Sequence, residues 1–385
     1  MRAISLKNKG SHRYLRGLDL TRAADLSRSL STPFMVLRTS VVRHNLRRLR
    51  AALPGVDVFY AVKANNHPDI IGVLRDENCF FDISSVRELE TVRGCGVSVE
   101  NTIHTNPIKS PAEFDGAVAM GVRTFVADNL AELDKFSRYG DKAGVLLRFK
   151  TFTDGSAINL SFKFGADPQD MPLLLDRVSQ LGLDFRGFCF HVGSQCLKSA
   201  PYVAAIKTAG ELIRLAAAKG LPTEILDIGG GFPIRYTQST PSLESLGAAI
   251  VRSLKADIDP AIRVICEPGR CLSGEAATLF ASVIGKSVRG GVTWYYIDDG
   301  LYGSFSGRVY DGCTYEVLTQ RNTRWEKAVL AGPTCDSFDV IYKDCLMPPL
   351  DVGDVLMFPA MGAYCLVSAS DFNGLGRARV VTVDW

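Results

Sequence analysis

At 385 residues, with 46% hydrophobic and 22% charged content, the chain has ordinary globular composition and length enough for two cores, which excludes a disordered or low-complexity protein. A net charge of +3 gives no reason to expect a nucleic-acid or membrane partner, no apolar run reaches the ~18 residues of a bilayer span, and the basic start MRAISLKNKGSHRYLRG lacks the apolar core of a secretory signal. Ten cysteines lie scattered through apolar surroundings without the C-x-x-C pairs of a zinc site, so most of them read as small buried hydrophobes in a reducing, cytoplasmic compartment, Cys335 being the exception.

Residues 1–32 carry few signals, and TPFMVL at 32–37 reads as a strand. In SVVRHNLRRLRAAL the residues Val42, Leu46, Leu49 and Leu53 recur at helical spacing, and Pro54 with Gly55 ends the helix. FYAVKAN at 59–65 then reads as a buried parallel strand. From there strands and helices alternate: CFFDISS and VRELETVRGCG, TIHTNP and PAEFDGAVAMG, RTFVAD and NLAELDKFSRYG, then GVLLRFK. After an irregular stretch at 151–168 the alternation resumes with MPLLLDRVSQLG, FRGFCFHVGS, a long helix at 201–219, EILDIGGGFP, a helix at 241–255 and RVICEPGR. Eight strand units, each followed by a helix, predict an α/β fold with a (β/α)8 TIM barrel over 33–280. From 281 onward VTWYYIDDG, AVLAGP, DVLMFPAMGAY and ARVVTVDW predict a C-terminal β domain over 281–385, to which residues 1–32, or TPFMVL itself, return.

In such a barrel the reacting residues stand where strands end. Lys63, Asp82, Arg148, His191, Gly229 to Gly231 and Glu267 all fall at that position, on six different units, and so form a ring around one mouth. An unpaired ammonium in or just beyond an apolar strand tends toward the neutral amine that attacks an aldehyde, which suits Lys63 to Schiff-base chemistry, although a lysine at a strand end can equally snorkel to solvent. Gly229, Gly230 and Gly231 follow a strand and precede a helix, as a phosphate cradle or a plain turn would. Arg270 adds a charged donor nearby or forms a surface ion pair. Glu267 follows three apolar residues and would be satisfied by a protonated heterocyclic nitrogen. His191 is either a satisfied core histidine or a ring stacked on a cofactor. Asp82 and Glu88 read as a loop acid and a helix-surface acid, or as carboxylates that hold a lysine or histidine in place.

The stretches FYAVKAN, FDISSVRE (81–88), KFG (163–165), FHVGSQ (190–195), DIGGGFP (227–233), EPGR (267–270), DDGLYGSF (298–305), YD (310–311), GPTCDSFD (332–339) and GAY (362–364) jointly resemble the fold-type III pyridoxal-phosphate decarboxylases, the ornithine decarboxylase family most closely. The resemblance spans nearly the whole chain in the family's order. It implies an alanine-racemase-like barrel plus β domain, pyridoxal 5'-phosphate as cofactor, and a head-to-tail homodimer with shared active sites. Lys63 would be the Schiff-base lysine and His191 the residue stacked on the ring, with Glu267 paired to the ring nitrogen. Ser194, Gly229, Gly230, Gly231, Arg270 and Tyr364 would hold the phosphate, and Asp82, Glu88, Arg148 and Gly269 would be further cofactor-binding residues. Cys335 from the partner subunit would protonate the α-carbon, and Asp336 from that partner, with Asp311, would bind the distal ammonium of the substrate; Tyr302 would be a further interface contribution.

These implications give α-decarboxylation of a basic amino acid, L-ornithine to putrescine and also L-lysine to cadaverine. Two carboxylates around a distal ammonium favour a diamino acid because a neutral side chain would leave them unpaired. Cys335-Asp336 stands where the diaminopimelate-acting sibling typically carries Cys-Glu. Residues 151–162 and Asp371 depart from the family's pattern, and the chain stops at Trp385 without the C-terminal tail of animal ornithine decarboxylases, which suggests a compact, bacterial type of enzyme. The alternatives are decarboxylation of another amine-bearing amino acid in a specialised pathway, a two-base racemase using Lys63 and Cys335, and a non-catalytic regulatory homologue.

Overall fold

The computed structural model describes residues 25–26, 29–151, 156, 161–321 and 323–384. The chain forms two compact units, one comprising Arg43–Ile234 with Thr240–Leu272 and the other the described residues up to Val42, Arg235–Ser239 and those from Ser273 on. In the first unit, strands β2 (Val56–Ala61), β3 (Phe80–Ile83), β4 (Thr102–His104), β5 (Thr124–Ala127), β6 (Gly144–Arg148), β7 (Phe185–Cys189), β8 (Ile225–Asp227) and β9 (Arg263–Cys266) close into a parallel barrel in chain order. The expected alternation of strand and helix is present in this unit.

The period of two in a strand decides what each residue does. Phe59, Ile103, Val126, Leu146, Cys189 and Ile265 form one buried cluster of the barrel, while their strand neighbours Tyr60, Phe125 and Phe188 are also fully buried. Such strands are buried on both faces and read as apolar runs. Polar residues at the strand ends then mark the mouth. The loops there are fixed by the helices that follow: Ser85, Ser110 and Asn129 accept through their side chains from the backbone N–H groups of Glu88, Glu113 and Glu132, at 3.2, 3.2 and 2.9 Å.

The second unit is an eight-stranded sheet built on β10 (Ala277–Arg289), β11 (Val292–Ile297), β12 (Leu318–Thr319), β13 (Glu326–Ala331), β14 (Val340–Met347), β15 (Val355–Phe358), β16 (Arg379–Val383) and β1 (Phe34–Arg38). TPFMVL therefore lies in this sheet, as β1, antiparallel to β10 and parallel to β16, and Phe34 stacks on Phe280 with centroids 4.7 Å apart. In place of the 33–280 barrel read from the sequence, the sheet takes both ends of that range, because β1 and the start of β10 bond to each other. Strands β10, β12 and β14 have no counterpart among the expected elements. β10 carries polar residues along its second half and changes register between Val283 and Gly285, pairing with β15 before that point and β11 after it, so no single alternation runs through it. The expected return of residues 1–32 falls largely on positions outside the described residues, as do much of 151–162 and Trp385. Among the described residues no helix is long and apolar enough to cross a membrane.

Candidate active site

β2 ends at Ala61, and Lys63 stands in the short 3-10 turn Val62–Ala64 at the barrel mouth. Its Nζ donates to Asp82 Oδ2 at 2.7 Å, and Asp82 Oδ1 accepts from the Thr105 hydroxyl. Asp82 is fully buried at the end of β3, and burial pushes its carboxyl up to about 6 against the opposing pull of the Lys63 charge. The ammonium is thus met by a carboxylate and partly exposed, at the mouth and not inside the strand. Glu88 lies in the first turn of the helix that follows β3. Its Oε2 accepts from the Ser84 N–H at 2.7 Å, a capping contact at the start of the helix Val86–Gly94, and burial raises its carboxyl.

Across the mouth, Glu267 follows β9 and Asp227 ends β8. Burial, followed by the nearby Asp227 charge, holds the Glu267 carboxyl well above the usual range, and burial raises Asp227 to about 6. Asp227 Oδ1 accepts from the Gly229 N–H at 2.8 Å, while the buried Oδ2 receives no N–H or hydroxyl donor. Two neighbouring carboxyl oxygens bond only when one carries a proton, so the pair is built either to hold a proton or to face a cation. His191 follows β7. Its Nδ1 accepts from the Gly193 N–H at 3.0 Å, and burial, with the positive charges of Arg148 and Lys63, keeps the imidazole neutral. Arg148, ending β6, lies over the Phe164 ring with its guanidinium carbon 5.5 Å from the centroid.

The three glycines are required by close backbone packing. A Cβ would lie 2.3 Å from Phe190 O at Gly229, 2.4 Å from Glu267 O at Gly230 and 2.3 Å from Gly193 O at Gly231, and Gly229 and Gly231 have φ of +66° and +93°. Glu267 N donates to Gly229 O at 2.9 Å, so the turn is fastened to the loop bearing Glu267. Among the described residues the N–H groups of Gly230 and Gly231 donate to no protein acceptor. Beside them, buried Arg270 follows Gly269 and donates through Nη2 to Ser194 Oγ at 3.3 Å.

The other unit carries a second cluster. Cys335 is exposed and Asp336 half-buried on the loop that joins β13 to β14, and Tyr302 OH donates to Asp336 Oδ2. The Phe338 N–H, followed by that bond, holds the Asp336 carboxyl below the usual range. Phe372 stacks on Tyr302 with centroids 4.3 Å apart, and Asn373 Oδ1 accepts from the Cys335 N–H at 3.1 Å. Asp371, beside them, pairs with Arg377 at 3.1 Å. Asp311 follows the short helix Gly307–Tyr310, and Tyr364 has φ of +59° in the GAY turn, its carbonyl accepting from Ser306 Oγ at 3.2 Å.

Sequence reasoning missed Asp227 and Thr105, although both follow the rule that found Asp82, a polar residue where a strand ends. It also passed over His104, whose buried ring nitrogens have no hydrogen-bond partner among the described residues; burial and the Lys109 charge bring the imidazole down to about 3.

Residues 39–274 match the family described as pyridoxal-dependent decarboxylase, pyridoxal binding domain. The lysine/ornithine decarboxylase of Selenomonas ruminantium is 37% identical over 362 residues, 92% of this chain and 91% of that protein. The crystal structure of lysine/ornithine decarboxylase from Vibrio vulnificus, complexed with putrescine, superposes with a TM-score of 0.90 at 37% identity, covering 95% of this chain and 98% of that one. The arginine decarboxylase of Paramecium bursaria Chlorella virus also superposes with a TM-score of 0.90, at 30% identity over 94% of this chain and 99% of that one.

Proposed function

The chain belongs to the pyridoxal-dependent decarboxylases, and from that premise we propose that it removes the α-carboxylate of a diamino acid, L-ornithine to give putrescine and L-lysine to give cadaverine. The residues at the barrel mouth fit pyridoxal phosphate: a lysine amine for the aldehyde, unengaged N–H groups at Gly230 and Gly231 with Arg270 and Ser194 for the phosphate, and a buried Asp227–Glu267 pair suited to a protonated ring nitrogen. Lys63 would hold the cofactor covalently, Glu267 would face its nitrogen, and His191 would lie against its ring. When bound, the cofactor supplies the electron sink that accepts the pair released with carbon dioxide.

The neutral state of His191 lets it stack without adding a second cation beside that nitrogen. The thiol of Cys335 delivers the proton to the α-carbon. Asp336, held by Tyr302, takes the distal ammonium together with Asp311. Asp336 is the single observation that carries the substrate class: an anionic carboxylate, fixed by a phenol and next in sequence to the proposed acid, is complementary to an amine and unsuited to a second carboxylate. Two copies of the chain, each lending Cys335 and Asp336 to its partner's barrel, form the cytoplasmic enzyme.

Asp336→Ala tests the assignment. The KM for ornithine and lysine should rise by at least about tenfold, one charge-assisted bond being worth roughly 1.5–3 kcal/mol. An unchanged KM for both would remove the basis for a diamino substrate and leave another amine-bearing amino acid as the reading to pursue.

A further inference from the structure

The motifs DDGLYGSF and GPTCDSFD each contain an aspartate that the chemistry above does not use. Asp339 is almost wholly buried at the start of β14. Its Oδ1 accepts from the Leu301 N–H at 2.7 Å, and its Oδ2 accepts from the Thr334 hydroxyl at 2.8 Å and the Thr334 N–H at 3.2 Å. Leu301 immediately precedes Tyr302, and Thr334 immediately precedes Cys335. One carboxylate therefore grips the residue before Tyr302, which holds Asp336, and the residue before Cys335. Its backbone joins in: the Asp339 N–H donates to Asp336 O at 3.1 Å and the Gly332 N–H donates to Asp339 O at 2.9 Å.

Both loops leave room for this carboxylate. A Cβ at Gly300 or Gly332 would lie 2.4 or 2.3 Å from its oxygens, so both positions are glycine for a reason of space. Asp299 stiffens the first loop from within, accepting from the Gly300 and Ser304 N–H groups at 2.7 and 2.8 Å. The Ser370 N–H donates to Tyr302 O at 2.8 Å, adding a third loop to the assembly.

Building on the diamino-acid reading, we propose that Asp339 is a positioning residue that sets the Tyr302–Asp336 pair and the neighbouring Cys335 thiol, and thereby the preference between diamino acids differing by one methylene. A charged acceptor holding two loops through neutral donors fixes their spacing more tightly than either loop could alone. Discrimination of one methylene is worth only ~1–3 kcal/mol, so a modest displacement of Asp336 erases it. Displacement of a proton donor by about 1 Å costs on the order of a hundredfold in rate.

The test compares Asp339→Asn and Thr334→Val with the parent and with Asp351→Asn, a surface control. Three readouts are taken on the cofactor-loaded protein: thermal stability, kcat and KM for ornithine and lysine, and the rate at which iodoacetamide modifies Cys335, followed on its peptide by mass spectrometry. Asp339→Asn should lower kcat by at least about tenfold, move the ornithine-to-lysine ratio of kcat/KM by threefold or more, and change Cys335 modification several-fold. Thr334→Val, which keeps the buried carboxylate, should shift the same quantities in the same direction by less. If Asp339→Asn fails to fold, Thr334→Val alone decides. Unchanged substrate ratio and Cys335 reactivity, with only thermal stability lowered, would overturn the proposal. If the parent turns over neither diamino acid, the substrate reading fails and Cys335 reactivity decides the positioning role by itself.

Discussion

Lys63 Nζ lies 2.7 Å from Asp82 Oδ2, a lysine 40% exposed at the barrel mouth against a carboxylate with no exposure. Asp82 stays ionised in part because that ammonium is there, so the two groups are coupled in stability as well as in position.

The coupling has a sign. Asp82 is raised from 3.8 to about 6, and removing Lys63 takes away a charge that lowers it. A carboxyl raised in the folded state stabilises below its unfolded pKa and loses that contribution as pH rises through its folded value. Cofactor-free Lys63→Ala should therefore lose more thermal stability at pH 8 than at pH 5, and adding Asp82→Asn should abolish the difference. Equal losses at both pH values would separate the pair.

The same sign governs Asp227 and Glu267. Asp227 is raised from 3.8 to about 6 and Glu267 is raised further by its neighbour, so the cofactor-free protein should lose stability between pH 4 and above pH 6. One pKa unit is about 1.4 kcal/mol, which makes the Asp227 contribution on the order of 3 kcal/mol. Glu267→Gln should flatten this slope in a thermal-melt series across pH.

Gly230→Ala tests the turn. The added methyl meets Glu267 O at 2.4 Å and His191 Nε2 at 3.2 Å, both parts of the site. Overpacking of this kind typically costs 1–3 kcal/mol. The melting temperature should fall by several degrees and cofactor affinity should drop with it, measured by retention of cofactor absorbance on dialysis. Full retention of both would mean that the turn yields freely.

Sharing of sites between subunits is checked by mixing. Lys63→Ala and Cys335→Ala should each be inactive, while unfolding and refolding them together should restore about a quarter of parent activity, because half the random dimers hold one intact site. No recovery, with dimers present by sedimentation, would place Cys335 in its own subunit's site.

Much of this was legible in the sequence for a physical reason. Parallel strands buried on both faces are short apolar runs, and a polar residue at the end of each marks the mouth, so Lys63, Asp82, His191 and Glu267 could be picked out by position. Asp227 obeys the same rule and was hidden by the glycines after it, which draw attention to phosphate. The Glu88 contact with the Ser84 N–H was not legible, because a capping contact depends on which backbone N–H a carboxylate reaches, not on spacing alone. Asp339 was invisible because its partners, Leu301 and Thr334, are a backbone N–H from one loop and a hydroxyl and N–H from another, brought together only when β11, β13 and β14 pair. β10 escaped because it pairs with β1 and β15 along its first half and with β11 along its second.

Carbon-dioxide release from the cofactor-loaded protein measures the chemistry on a diamino acid directly, with ornithine, lysine, arginine and diaminopimelate in parallel. Release from ornithine and lysine, lost in Lys63→Ala and impaired through KM in Asp336→Ala, is the expected result. An intact cofactor spectrum with no release from any of the four would contradict the account.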